Sequence, residues 1–352
     1  MISEAIAKLV DRRDLTETET GEAMHDIMDG KASGEQIAAF LTALRMKGES
    51  IGEITSLARV MRNYCRQIHP EVAGNLVDTC GTGGDKIKTF NISTTSAFVV
   101  AGAGIPVAKH GNRSVTSCCG SADVLETLGV KLDTPAETVE KAIEEVGIGF
   151  MFAPLFHPAM KHAVKPRREI GIRTVFNILG PLTNPANAKG QVVGVYQESL
   201  TDPLARTLLN LGVSQAMVVH GLDGLDEIST VGKTKVSWLR DGDVNSLTIE
   251  PEDLGIERAR PEELQGSSLE GNAITTLKIL NGCYDRKDPK RNIVLLNAAA
   301  GIVVGGKVDS LREGFEVASH SIEGGAAYSK LVSLIKFTDG DLSRLEELEK
   351  TA

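Results

Sequence analysis

The sequence predicts an α/β protein: a small helical domain plus a larger α/β domain with a mainly parallel central sheet and surrounding helices. Three observations predict it. Residues 1–70 carry repeated helix-start signals. From residue 75, short apolar runs alternate with helical segments, the rhythm of a parallel sheet covered by helices. The length, 352 residues, exceeds what one simple core serves. The expected division is 1–72 for the helical domain, with a crossover contribution from about 165–190, and 73–352 for the α/β domain.

In the helical block, Thr16 with Glu19, Ser33 with Gln36, and Ser50 with Glu53 have capping-box spacing. Gly30 and Gly48 stand where helices end. Ile54, Leu57, Ala58 and Met61 recur at helical spacing, and Pro70 closes the block. Leu76–Cys80 then reads as a strand and Ser93–Ala103 as a helix. Ile105–Lys109 is a second strand, with helices near Ser121–Leu128 and Ala136–Val146. Residues 153–189 hold Pro154, Pro158, Pro166, Pro181 and Pro185 among basic residues, and read as short helices and loops crossing back to the helical block. Strands resume at Gln191–Tyr196 and Ala216–His220. Thr234–Arg240 and Val244–Ile249 flank Asp241-Gly242-Asp243, a hairpin signal. The last hundred residues read as mainly helical, ending in a charged, solvated segment from Asp339.

A formal charge of −9 opposes nucleic-acid and anionic-membrane binding, so any anionic ligand needs a local positive site. The five cysteines form no C-x-x-C pair, which argues against a disulfide framework or structural zinc. Residues 1–20 are acidic and polar, and no apolar run is long enough to span a bilayer. A cytoplasmic location is the expectation.

Four signals carry chemistry. Gly81-Thr82-Gly83-Gly84-Asp85, between a strand and a helix, leaves backbone N–H groups free for an anion. Lys86 stands where a dinucleotide fingerprint or a P-loop would need glycine. Lys109 to Ser117, rich in donors, follows the next strand, at the end where open α/β sheets bind ligands. Asp226-Glu227, beyond a further strand, suits magnesium sharing its shell with phosphate. The basic stretch Lys161, His162, Lys165, Arg167, Arg168 and Arg173 is a solvated face unless one arginine turns inward to clamp a carboxylate. His157 and His220 read equally as site-lining or core residues.

Together with Thr89-Phe90-Asn91-Ile92-Ser93-Thr94, Cys119-Gly120-Ser121-Ala122-Asp123 and Arg173-Thr174-Val175-Phe176-Asn177-Ile178-Leu179-Gly180-Pro181-Leu182, these motifs resemble the anthranilate phosphoribosyltransferases of tryptophan biosynthesis, in order over nearly the whole chain. Lys86-Ile87-Lys88 and Lys165-Pro166 depart from the commoner family pattern. The resemblance implies a fold related to the pyrimidine nucleoside phosphorylases, whose activity is the alternative. It implies a homodimer meeting through the helical domains, with magnesium as cofactor. It also implies that Gly81, Gly84, Asp85, Thr89, Asn91, Ile92, Ser93 and Thr94 bind phosphoribosyl pyrophosphate. Lys109, His110, Gly111, Asn112, Arg113, Ser114, Val115, Thr116, Ser117 and Ser121 would complete that site. Gly81, Asn112, Arg167 and His110 would meet anthranilate, and Ser93, Asp226 and Glu227 would hold the metal.

Overall fold

The structure, a computed structural model, describes residues 1–114 and 119–351. Four helices open the chain: α1 (Ile2–Val10), α2 (Glu17–Met28), α3 (Gly34–Lys47) and α4 (Ile51–Asn63). The three capping boxes start α2, α3 and α4: Thr16, Ser33 and Ser50 accept from the backbone N–H groups of Glu19, Gln36 and Glu53. Gly48, at φ 92°, ends α3. Ile54, Leu57, Ala58 and Met61 form the buried face of α4.

Seven strands make one sheet among the described residues. They are β1 (Val77–Gly81), β2 (Val107–Gly111), β3 (Ile148–Phe152), β4 (Gly190–Gly194), β5 (Gln215–Gly221), β6 (Thr234–Arg240) and β7 (Asp243–Ile249). Their order is β3-β2-β1-β4-β5-β6-β7. The first five are parallel and β6–β7 form an antiparallel edge hairpin. Its turn residues Asp241 and Gly242 have φ of 54° and 78°, the positive values a tight hairpin turn needs. Strand β3 is an addition to the sequence reading. Its short run Ile148–Phe152 follows a helix after one glycine, and four apolar residues around Gly149 suit strand and helix alike.

Helix α5 (Ile92–Gly102) joins β1 to β2; α6 (Ser121–Thr127) and α7 (Ala136–Glu145) precede β3. The crossover from β3 to β4 holds α8 (Ala153–Phe156), α9 (Lys161–Ile170) and α10 (Phe176–Leu182). Helix α11 (Thr201–Asn210) joins β4 to β5. The rest is α12 (Pro261–Leu264), α13 (Leu269–Leu280), α14 (Pro289–Val304), α15 (Leu311–Glu323), α16 (Ala326–Phe337) and α17 (Leu342–Thr351). The charged end of the chain is therefore not wholly solvated: Leu345 and Leu348 of α17 join the core. Among the described residues no helix is long and apolar enough to cross a membrane.

Alternate strand residues enter two different cores, as the pleat requires. Val192, Met217 and Val219 pack with α5, α13 and α14. Val193, Ala216 and Val218 share a core with α1–α4, with Ala163 of α9, and with Phe176, Leu179 and Leu182 of α10. The proline-rich crossover thus packs on the helical block. Arg62 of α4 is buried at this junction and donates to the carbonyls of Leu182 (2.8 Å) and Leu211 (3.3 Å).

The chain leaves β1 toward β2 and β3, then returns to place β4 on the other side of β1. The gap between the ends of β1 and β4 is a switch point, where open sheets bind ligands. Two glycines there make room for the loop after β5. A Cβ on Gly194 would stand 1.6 Å from the Asp226 carbonyl oxygen, and one on Gly81 would stand 3.0 Å from Asp226 Oδ2. Gly194→Ala should therefore cost on the order of 1–3 kcal/mol in urea unfolding, the usual penalty of overpacking. An unchanged midpoint would contradict this packing.

Candidate active site

Loops after β1, β2 and β5 meet at this switch point. The turn from Gly81 to Asp85 is held from several sides. Thr82 donates its N–H to Gly194 O (2.9 Å), and its hydroxyl accepts from the Tyr196 N–H (3.0 Å). Lys86 donates its N–H to Gly224 O (3.2 Å). The Asp85 carboxylate accepts from the Thr89 N–H (2.8 Å), the Thr89 hydroxyl (2.7 Å) and the Lys88 N–H (3.1 Å). Gly83 and Gly84 have φ of 71° and 93°, which side chains rarely tolerate.

The segment after the turn enters α5. Ile92 buries its side chain in the core. Ser93 donates its N–H to Glu227 Oε1 (3.2 Å), and Thr94 donates its hydroxyl to Ser121 Oγ (3.0 Å) at the start of α6. Asn91 donates to the Cys119 carbonyl (3.3 Å), while its buried Oδ1 has no hydrogen-bond partner among the described residues. These bonds tie the first loop to the second and to the acid pair.

Asp226 and Glu227 are crowded and withdrawn from water. Burial, then the charge of Asp85, pushes the Asp226 carboxyl up to about 6. Burial, then the charge of Asp226, raises Glu227 well above the usual carboxylate range. Lys109 is the nearest compensation. Only 2 % exposed, it donates to Thr79 O (2.6 Å), and its charge opposes the rise at Glu227. Among the described residues no three His, Cys, Asp or Glu side chains form a cage that could hold a metal alone. Two crowded carboxylates beside the glycine turn nevertheless fit a hard cation that takes its other ligands from phosphate and water.

Two cavities flank the glycine turn. One, of about 420 Å³, gathers Gly81, His110, Gly111, Asn112 and Arg167. Met61, Pro154, Met160, Val164, Phe176 and Pro181 give it apolar walls. The Arg167 guanidinium lies 5.1 Å from the centre of the Phe176 ring, and burial lowers its pKa. The helix carrying it runs through Pro166 without a break. The second cavity, of about 410 Å³, is lined by Gly84, Asp85, Lys88, Thr89, Arg173 and residues 265–267.

Some expected residues stand apart. The Arg113 side chain pairs with Asp123 (2.9 Å) and Glu126 (2.8 Å), so its guanidinium is committed to them. The Ser114 N–H donates to Asp123 (3.1 Å). Val115, Thr116 and Ser117 lie outside the described residues. His157, read from the sequence as site-lining or core, lines the first cavity, its ring 4.9 Å from that of His110. Asp78 and Asn184 are additions. Asp78, beneath, accepts from Asn184 Nδ2 (2.7 Å) and the His110 N–H (3.3 Å). Asp78 and Asn184 are 106 residues apart and carry no sequence signal.

Two family models match the chain. One described as "Glycosyl transferase family, helical bundle domain" matches residues 3–65, and one described as "Glycosyl transferase family, a/b domain" matches residues 73–328. Fold and site together define a glycosyltransferase. An anthranilate phosphoribosyltransferase of Acetivibrio thermocellus is 53 % identical over 97 % of this chain and 98 % of its own length. The crystal structure of the enzyme of that name from Thermus thermophilus superposes with a TM-score of 0.90 at 41 % identity, over 95 % of this chain and 99 % of that one. One from Saccharomyces cerevisiae in complex with PRPP and Mg gives 0.89 at 28 %, over 96 % and 98 %. The chain belongs to the anthranilate phosphoribosyltransferase family.

The buried histidines give a pH signature. Burial, then the neighbouring His157, pushes His110 down to about 3, and burial pushes His157 down to about 4. In the unfolded chain both take up protons near the ordinary value of 6.5. Their contribution to stability is complete above that pH and is lost as pH falls toward 4, by up to about 1.4 kcal/mol per pH unit for each ring. Replacing both by Asn should flatten the acid limb of the unfolding midpoint against pH. An unchanged slope would contradict the assignment.

Proposed function

We propose that the chain transfers the phosphoribosyl group of 5-phosphoribosyl 1-pyrophosphate to the amine of anthranilate, releasing pyrophosphate, as the second step of tryptophan biosynthesis. The observation that carries this reading is the glycine turn between two cavities, with a buried acid pair against it. Family membership supports the transferase over the nucleoside phosphorylase, which needs no metal-bound pyrophosphate.

The amine of anthranilate is attached directly to the aromatic ring, is neutral at pH 7 and needs no strong base. Its carboxylate is the handle. Arg167, partly withdrawn from water among apolar walls, holds it with a guanidinium fork and aims the nitrogen toward the glycine turn. His110 and Asn112 line the same cavity. At the sugar C1 the bond to nitrogen forms as the bond to the pyrophosphate oxygen breaks. That oxygen keeps the electron pair, and the nitrogen gives one proton to solvent. The turn and the Asn91–Thr94 segment offer fixed N–H and hydroxyl donors to the phosphates, so stabilisation comes from positioning and electrostatics. Asp226 and Glu227 would hold magnesium, with Ser93 beside them. When bound, the metal supplies positive charge to the leaving group. Lys109 places a buried positive charge at the same strand ends. Magnesium as cofactor, a cytoplasmic location and a homodimer are part of the same proposal. Val10 and Met46 leave apolar side chains 68 % and 74 % exposed on the helical block.

Anthranilate fluorescence should fall only when phosphoribosyl pyrophosphate and magnesium are both present; consumption without either would refute the reaction. Arg167→Ala should raise the anthranilate KM roughly 10- to 100-fold, the worth of one hydrogen-bonded charge contact. An unchanged KM would discard that role. Asp226→Asn with Glu227→Gln should lower magnesium-dependent turnover by about 100-fold or more, as expected for lost metal ligands. Full activity in the double variant would remove them as ligands.

A further inference from the structure

The glycine turn is covered by a guanidinium that pairs with no carboxylate. Arg173 stands between α9 and α10, two residues after Gly171, which turns the chain at φ 68°. Its guanidinium carbon lies 4.2 Å from the centre of the Tyr196 ring. It also rests on Gly84, where a Cβ would stand 1.7 Å from Nη2. Among the described residues Arg173 has no ion pair, in contrast to Arg113, which holds Asp123 and Glu126. It borders the second cavity together with Asp85 and Thr89.

A partly buried arginine normally neutralises a protein carboxylate or awaits an anionic ligand. Here the fork is oriented by a ring, not by an acid. Tyr196 follows β4 and gives its N–H to Thr82, so stack and turn move as one piece. Gly84 lets the guanidinium lie flat where any side chain would expel it. The charge also reaches Asp226 and pulls its carboxyl toward ionisation.

We propose that Arg173 is a further catalytic residue, contacting the pyrophosphate of the sugar substrate across Gly84 and following it as it leaves. The proposal rests on the transfer reaction above. It also links the crossover between the helical block and the sheet to the leaving-group site.

The test is Arg173→Gln and Arg173→Lys, read by calorimetry with inorganic pyrophosphate and magnesium, steady-state kinetics and unfolding midpoint. In Arg173→Gln the pyrophosphate Kd and the phosphoribosyl pyrophosphate KM should rise about tenfold or more, while the anthranilate KM stays within about twofold, as loss of one charged contact predicts. Arg173→Lys should restore part of the binding, and both midpoints should stay near that of the unmodified enzyme. Unchanged pyrophosphate binding in Arg173→Gln would overturn the proposal. So would a lowered midpoint with both KM values raised equally, since that marks mere packing. Failure of the unmodified enzyme to bind phosphoribosyl pyrophosphate would instead sink the transfer reading.

Discussion

Two carboxylates are held against a glycine turn with too little positive charge to satisfy them. Asp226 and Glu227 reach that position because Gly81 and Gly194 have no side chains there. Withdrawal from water raises both carboxyls; Lys109 opposes the rise at Glu227 and Arg173 that at Asp226, and both carboxyls stay raised. Left alone, such a pair weakens the fold. Were a diphosphate and its cation to bind there, as proposed, the same tension would become affinity, because the cation would supply the missing charge. The rest of the architecture serves this arrangement.

The sheet order opens a gap between the ends of β1 and β4, and the acid loop after β5 fills its base. The two flanking cavities differ in chemistry. The one toward the helical block has apolar walls and a partly desolvated arginine, suited to a flat aromatic acid. The one behind Gly84 is lined by polar groups and the backbone of a glycine turn, suited to phosphates. Met61 of α4 and Phe176 of the crossover bring the helical block into the wall of the first cavity.

Much of this was legible in the sequence, for local reasons. Capping boxes, glycine turns and the Asp241-Gly242 hairpin depend on neighbouring residues, and they stand where local chemistry put them. Arg167, His110 and Asn112 were grouped by resemblance, and they share one cavity. Strand β3 was not legible, because Ile148–Phe152 carries no alternation. The commitment of Arg113 to Glu126 needed the path of α6. Asp78 with Asn184, and Arg173 with Tyr196, meet only once β1, β4 and the crossover are assembled.

The most direct test of the central claim is to locate the metal. Crystals grown with phosphoribosyl pyrophosphate and manganese in place of magnesium would mark it by anomalous scattering. The account predicts a manganese peak coordinated by Asp226 or Glu227 and by a diphosphate lying along Gly81–Asp85. A diphosphate bound elsewhere, or a metal that leaves both carboxylates untouched, would contradict it.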